Sequence, residues 1–290
     1  MTHQTVQRTS LANLQMNLGK MSDLQNKMSG GKVITKPSDD PGGTAQALQL
    51  RASQRATEQF ARNADDGAAW LATIDSTLNT SLASLRRARD LTVQGANSGA
   101  LNQTGREAIA IEIEGIRDAM LSQANTSYLG RSVFAGTSSA ATAFASGTYD
   151  FNGSSGTVER RIAPDITVRA DADGSKIFGE GAASVFALLD GIAADLRNGV
   201  EVGPRLAELD THQRAILGEL GGVGSRYGQI TTAQSSIQKT LMDVKSQLSA
   251  IEDIDLAEII VELQMQEVAY QGALGATARV LQPTLMDFLR

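Results

Sequence analysis

The sequence predicts a mainly α-helical chain of long coiled-coil helices, with a small β-rich domain inserted mid-chain. Three observations predict it. First, Leu206, Leu209, Gln213, Ile216, Leu220, Val223, Tyr227, Ile230, Gln234, Ile237, Leu241, Val244, Leu248 and Ile251 follow an unbroken alternation of three- and four-residue steps, with only the two glutamines polar. Sustained over roughly six heptads, that is a coiled-coil seam on a helix ~70 Å long at about 1.5 Å per residue. Second, between Gly136 and Gly181 the apolar period drops to two, in TYDFNGSSGTVERRI around Asn152-Gly153 and in ITVRADADG before Asp173-Gly174. Alternation punctuated by Asn-Gly and Asp-Gly predicts β-hairpins. Third, aromatic residues make up only 4% of the 290 residues. That suits helices packed closely through Leu, Ile and Ala better than a thick globular core.

The other helices follow from the same spacing. Leu11, Leu14, Leu18, Met21 and Met28 form one stripe near the N-terminus, with Gln25 its polar member and Leu24 flanking. A second tract runs from about Thr44 to Gln94, with Phe60, Leu71, Ile74, Leu78 and Leu85 on its seam. A third spans Gln103 to Ser127 and carries Ile109, Ile113, Ile116 and Met120. The last tract places Leu256, Ile260, Leu263, Tyr270, Leu274 and Leu281 on one face, and Pro283 stops it before TLMDFLR. Gly218, Gly221, Gly222, Gly224 and Gly228 interrupt the long seam, each costing up to ~1 kcal/mol in a helix interior. Either a neighbour approaches closely there or the helix bends or breaks near Gly221-Gly222.

Composition excludes several function classes. A net charge of -6 gives no basic surface for phosphate contacts, so nucleic acid is not an expected partner. The absence of cysteine removes disulfides and thiolate metal sites. No segment reaches the length of a membrane span, and the first thirty residues hold no signal-peptide apolar run. Export, if it occurs, is expected to use an uncleaved signal. His3 and His212 are the only histidines, with no HExxH motif, no Asp-rich calcium loop and no G-x-S-x-G. No nucleophile, base and orienter accompany Asp150 or Asp165 in the β-rich region, so neither a catalytic residue nor a cofactor or metal is expected. The sequons at Asn79, Asn102, Asn125 and Asn152 are coincidental in so Ser/Thr-rich a chain.

The two ends differ in charge. Residues 1–36 carry Arg8, Lys20, Lys27, Lys32 and Lys36 against Asp23, whereas residues 250–290 carry Glu252, Asp253, Asp255, Glu258, Glu262, Glu267 and Asp287 against Arg279 and Arg290. Such ends can pair, within one chain or with a neighbour; charge would steer the pairing and apolar burial would hold it.

The stretch ITKPSDDPGGTAQALQL, residues 34–50, reads as a joint between helices. Pro37 biases Lys36 out of the α region and ends the first helix. Asp40 is a natural N-cap with Pro41 at the first helical position. Asp39 adds negative charge near the positive end of the helix dipole. Adjacent carboxylates pointing apart, and Gly30-Gly31-Lys32 outside any phosphate-loop spacing, argue against a site.

With the joint placed, the chain resembles the bacterial flagellin family. The residues carrying the resemblance are MSGGKVITKPSDDPGGTAQALQLR (28–51), GRSVFAGT (130–137), TYDFNGSSGTVERRIAPDITVRADADGSKIFG (148–179), VGSRYGQI (223–230) and EDIDLAEIIVELQMQEVAYQGALGATARVLQPTLMDFL (252–289). Pro37, Pro41 and the closing sequence favour a hook-associated member over a filament subunit, which remains the alternative; Gly31 and Gly42-Gly43 depart from the usual spacing. The resemblance implies a flagellin-like, long antiparallel coiled-coil rod with N- and C-terminal helices paired. Residues 1–38 and 252–290 would form an inner assembly domain, 39–136 and 182–251 the helical rod, and 137–181 a β-rich outer domain. It also implies a structural, non-enzymatic part joining hook to filament, needed for motility and exported by the flagellar type III apparatus. The implied partners are the first hook-associated protein, flagellin, further copies in a ring, and a cytoplasmic export chaperone. The expected assembly residues are Leu11, Leu14, Leu18, Met21, Leu24, Met28, Leu256, Ile260, Leu263, Tyr270, Leu274, Leu281, Leu285 and Leu289, with Pro37, Asp39, Asp40 and Pro41 as the hinge. Burial against neighbours, worth ~1.5–3 kcal/mol per large side chain, is expected to order the ends on assembly.

Overall fold

The computed structural model describes residues 3–97 and 102–281. It is mainly helical: α1 (His3–Gly30), α2 (Pro41–Ala96), α3 (Gln103–Ala124), α4 (Gly174–Phe178), α5 (Val185–Arg197), α6 (Arg205–Glu252) and α7 (Leu256–Leu281). Four short strands lie between α3 and α4: β1 (Ser127–Tyr128), β2 (Arg131–Ser132), β3 (Glu159–Ala163) and β4 (Ile166–Arg169). The chain divides into two compact units, one of residues up to Ala56 with those from Thr240 on, the other Thr57–Lys239.

The predicted long seam is α6. Its 48 residues form one helix without interruption, and Leu209, Ile216, Val223, Ile230, Ile237 and Val244, seven residues apart, are all buried. Leu206, Gln213, Leu220, Gln234, Leu241, Leu248 and Ile251 are half-buried beside them. Tyr227 departs from the seam and is 45% exposed. The helix neither breaks at Gly221-Gly222 nor meets a neighbour there: a Cβ on Gly218, Gly221, Gly224 or Gly228 would face open space. The antiparallel course of α2 beside α6 is fixed within the larger unit by Gln234 Nε2 donating to Asp65 Oδ1 at 2.8 Å and by the Arg89–Asp210 ion pair at 2.8 Å. Leu71, Ile74, Leu78 and Leu85 of α2 are buried as the spacing predicts, and Phe60 is half-buried.

The third tract ends earlier than expected, because residues 127–132 turn into a hairpin. Asn102 caps α3, its Oδ1 accepting from Gly105 N at 2.8 Å. Helices α3 and α5 pack together, clamped where the Arg197 guanidinium meets Glu107 at 3.0 Å and Glu114 at 2.5 Å. That contact holds the Glu114 carboxyl below its ordinary range.

The hairpins form elsewhere than Asn152-Gly153 and Asp173-Gly174. Strands β1 and β2 pair antiparallel across Leu129-Gly130, and β3 pairs with β4 across Pro164-Asp165. Asp173 instead caps α4, its Oδ1 accepting from Ser175 N at 3.1 Å. Gly153 is a glycine because the Phe151 ring folds over it, leaving only 2.1 Å for a Cβ. These irregular segments are held by the aromatic residues. Phe134, Phe144, Phe178 and Phe186 are fully buried, with ring centroids 5.3–5.9 Å apart. Since Phe186 lies in α5, residues 137–181 share their core with the helices. Asn125 fixes the entry by donating to Phe144 O at 3.1 Å and accepting from Phe144 N at 2.8 Å, so its sequon side chain is committed to the fold.

Ile230 is fully buried while Tyr227, one turn away, is half-exposed. Ile230→Ala should therefore cost about 2–5 kcal/mol of unfolding free energy and Tyr227→Ala under about 1 kcal/mol, read by urea denaturation.

Candidate assembly interface

The smaller unit is built from the two chain ends and the joints that connect them to α2 and α6. Helix α1 ends at Gly30, ahead of Pro37. Gly31 stops it by adopting φ +67, with its N–H bonded to Lys27 O at 2.8 Å. Pro37 thus sits inside the joint and is not its start. Asp39 folds back along the joint: its Oδ2 accepts from Thr35 N at 3.1 Å, Thr35 Oγ1 at 2.8 Å and Lys36 N at 2.8 Å. These bonds, the Thr35 hydroxyl foremost, pull its carboxyl below its ordinary value. Asp40 Oδ1 accepts from Gly43 N at 2.9 Å, and α2 begins at Pro41. A side chain on Gly43 would lie 2.3 Å from the Asp40 carboxylate, so the second glycine leaves room for the cap.

A second joint, Asp253–Asp255, links α6 to α7, and the two joints are tied to each other. Val33 N donates to Glu252 O at 2.7 Å and Ile254 N to Gly31 O at 3.3 Å, making a bridge between Lys32 and Asp253. The Glu252 carboxylate, with its side chain only 8% exposed, takes Arg51 of α2 at 2.9 Å and Lys32 at 3.4 Å. Lys32 also reaches Asp253 at 2.5 Å. Asp255 caps α7, accepting from Ala257 N at 2.9 Å. The unlike-charged residues of the two ends thus meet within one chain, at the joints.

Beyond the joints α1 and α7 pair antiparallel, with Gln266 Nε2 donating to Asn17 O at 3.3 Å. The facing seam differs from the stripes of large residues. On α1 it runs through Leu14, Asn17, Met21 and buried Leu24; on α7 through buried Ile259 and half-buried Leu263, Gln266, Tyr270, Ala273 and Thr277. Leu11, Leu18 and Met28 of α1 and Leu256, Ile260 and Leu274 of α7 are exposed, 37–58% open. Leu281 closes α7, while Leu285, Leu289 and Pro283 lie outside the described residues. Sequence reasoning missed Val261, Met265 and Val268, which are 54–69% exposed on the side of α7 turned from α1 and line shallow grooves there. Their spacing of 3 and 4 was legible; the larger residues beside them masked it.

Among the described residues no three His, Cys, Asp or Glu gather to hold a metal, and no helix is long and apolar enough to cross a membrane. Asp150 and Asp165 are exposed, and His212 on α6 is pushed down in pKa by burial.

Comparison with known proteins agrees with this geometry. The family profile described as the bacterial flagellin N-terminal helical region matches residues 1–139. Flagellar hook-associated protein 3 of Salmonella typhimurium is 26% identical over 86% of this chain and 87% of its own length. The Bacillus subtilis flagellin is 24% identical over 97% and 95%. Among solved structures, flagellar hook-associated protein-3 from Legionella pneumophila superposes with a TM-score of 0.64 at 15% identity, covering 70% of this chain and 98% of that one. Bacillus cereus FlgL gives 0.61 at 23%, covering 69% and 99%.

The electrostatics of the joint set its pH range. The Lys32 hydrogen bond lowers the Asp253 carboxyl below 3.8, so its contribution is complete above that value and fades as pH falls through the lowered one. The bond to Asp253 raises Lys32 above 10.5, so its contribution is complete below that value and fades as pH rises through the raised one. The melting difference between wild type and Asp253→Asn should thus be flat at neutral pH and vanish in strong acid. Glu252→Gln, which strips a buried acceptor from half-exposed Arg51 and Lys32, should cost about 1–2 kcal/mol by thermal melting at pH 7.

The profile match over residues 1–139, the similarity to flagellar proteins along most of the chain and the shared fold together make this chain similar to flagellins and flagellar hook-associated proteins.

Proposed function

We propose that the chain is a hook-associated structural subunit of the bacterial flagellum, seated at the hook–filament junction and needed for filament assembly. One observation carries this reading: the similarity to hook-associated protein 3 runs along 86% of this chain and 87% of that protein. The protein is structural and acts outside the cell in the flagellum, not as an enzyme. The first hook-associated protein on one side and flagellin on the other are the partners this position provides, with further copies beside it in a ring. Transit to that position would be as an unfolded chain through the flagellar export apparatus, with a cytoplasmic chaperone covering the terminal helices.

The mechanism rests on the exposed apolar residues of α1 and α7. Pairing of the two helices covers one stripe on each and leaves Leu11, Leu18, Leu256, Ile260, Val261, Met265, Val268 and Leu274 open. Each such side chain gains about 1.5–3 kcal/mol when neighbouring subunits exclude water from it. A role for Leu285 and Leu289 in the same interface belongs to this proposal. A second reading, a short filament flagellin, is favoured by the span of the Bacillus subtilis match; copy number separates the two, a single ring against thousands of subunits.

A strain lacking the chain should be non-motile, with hooks present and flagellin released into the medium, and a plasmid copy should restore filaments. Copies lacking residues 1–36 or 252–290 should fail to restore them. Filaments of normal length on the deletion strain would refute the junction role.

A further inference from the structure

The β1–β2 hairpin carries an unexpected residue at its tip. Its two-residue loop, Leu129-Gly130, has both φ positive, at 50 and 78, the type I′ geometry that favours Asn or Gly at the first position. Leucine there is sterically disfavoured, yet its side chain is 80% exposed. Two residues on, Arg131 is exposed; its guanidinium lies 5.8 Å from the Trp70 ring and makes no ion pair among the described residues.

Within the same compact unit lies a receptor of matching character. Ala72, Asp75, Val223, Gly224 and Tyr227 line a cleft of about 320 Å³ between α2 and α6. A cavity of about 150 Å³ accepts benzene, so a leucine side chain fits. The cleft is open because Gly224 lacks a side chain and Tyr227, though on the heptad seam, stands out of it. At its rim Asp75 is exposed, bonded to Asn79 but to no cation among the described residues. The hairpin packs against Trp70, its Tyr128 ring 5.6 Å from the indole. Trp70 and Asp75 are about 140° apart around α2 at 100° per residue. Knob and cleft therefore lie at one level of α2 on different sides, and one copy cannot satisfy itself.

We propose that Leu129 of one copy inserts into the Ala72–Val223–Tyr227 cleft of a second copy, with Arg131 meeting Asp75 across the contact. The apolar tip faces an apolar floor and the cation faces the carboxylate. The contact is head-to-tail, so it propagates and closes when the rotation between copies permits a ring. It deepens the proposed function, on whose side-by-side copies it rests.

The absence of cysteine gives a clean test. Flagella would be isolated from cells expressing a Leu129→Cys, Gly224→Cys double variant, oxidised, and run on a non-reducing gel beside wild type and each single variant. A ladder of multimers in the double variant alone is the expected result. Chain present in the flagella without a ladder overturns the contact and leaves the junction role standing. Wild-type chain absent from the flagella sinks the junction role, and this contact with it. Leu129→Asn serves as the folding control, because Asn-Gly suits the turn: its melting temperature should equal or exceed wild type while self-association of the purified full chain weakens about tenfold or more. Unchanged self-association overturns the proposal. Arg131→Asp and Asp75→Arg should each weaken association and together restore it; failure of the pair to restore it counts equally against the contact.

Discussion

Burial of one heptad stripe is the constraint on which the rest of the molecule depends. Along α6 a residue is sealed from water at every seventh position from Leu209 to Val244, and these few side chains hold a helix that carries five glycines in its middle. Each glycine raises the cost of the helical conformation, and the seam offsets it because apolar burial is worth more per residue than the propensity lost. Since a Cβ on most of those glycines would meet nothing, they do not serve closeness to α2. They thin the outer wall of α6 beside Val223 and Tyr227, which is where the cleft opens.

The same arithmetic explains what the sequence shows clearly and what it hides. In α6 the buried apolar residues all fall on the predicted repeat, so period alone locates the seam; Tyr227 is a large side chain on the repeat that stays outside, and Leu217 and Met242, off the repeat, are exposed. In α7 the two sets separate. Its α1-facing stripe includes Gln266, Ala273 and Thr277, small or polar residues that let two backbones approach, while Leu256, Met265, Val268 and Leu274 face out. Choosing the largest hydrophobes therefore selects a flank of the helix. The joint was legible in Asp40-Pro41 because a cap is local chemistry. Its tie to Glu252 and Asp253, about two hundred residues away in sequence, was not, since no local pattern records a long-range ion pair.

The β-rich region shows the opposite failure. Asn152-Gly153 and Asp173-Gly174 have turn composition, yet the first makes room for the Phe151 ring and the second starts a helix. Turn residues report a need for unusual backbone or side-chain capping, and several structures meet that need. The hairpin at Leu129-Gly130 lacks the favoured first residue and escaped notice for that reason. What organises the region is a cluster of buried phenylalanines spread from Phe134 to Phe186, a contact set that period-two counting cannot see.

The chain spends its large side chains on two fronts, some inward along seams and others outward along α1, α7 and the hairpin tip. The ion pairs fit that division. Lys32, Arg51, Glu252 and Asp253 are concentrated at the joints, where they fix how the ends enter and leave the smaller unit. Val261, Met265 and Val268, by contrast, are apolar and face outward. In the proposed assembly, directional contacts within the chain would set the frame and undirected apolar faces would make the contacts between copies, because dispersion and water exclusion tolerate small offsets, whereas charge-assisted hydrogen bonds do not.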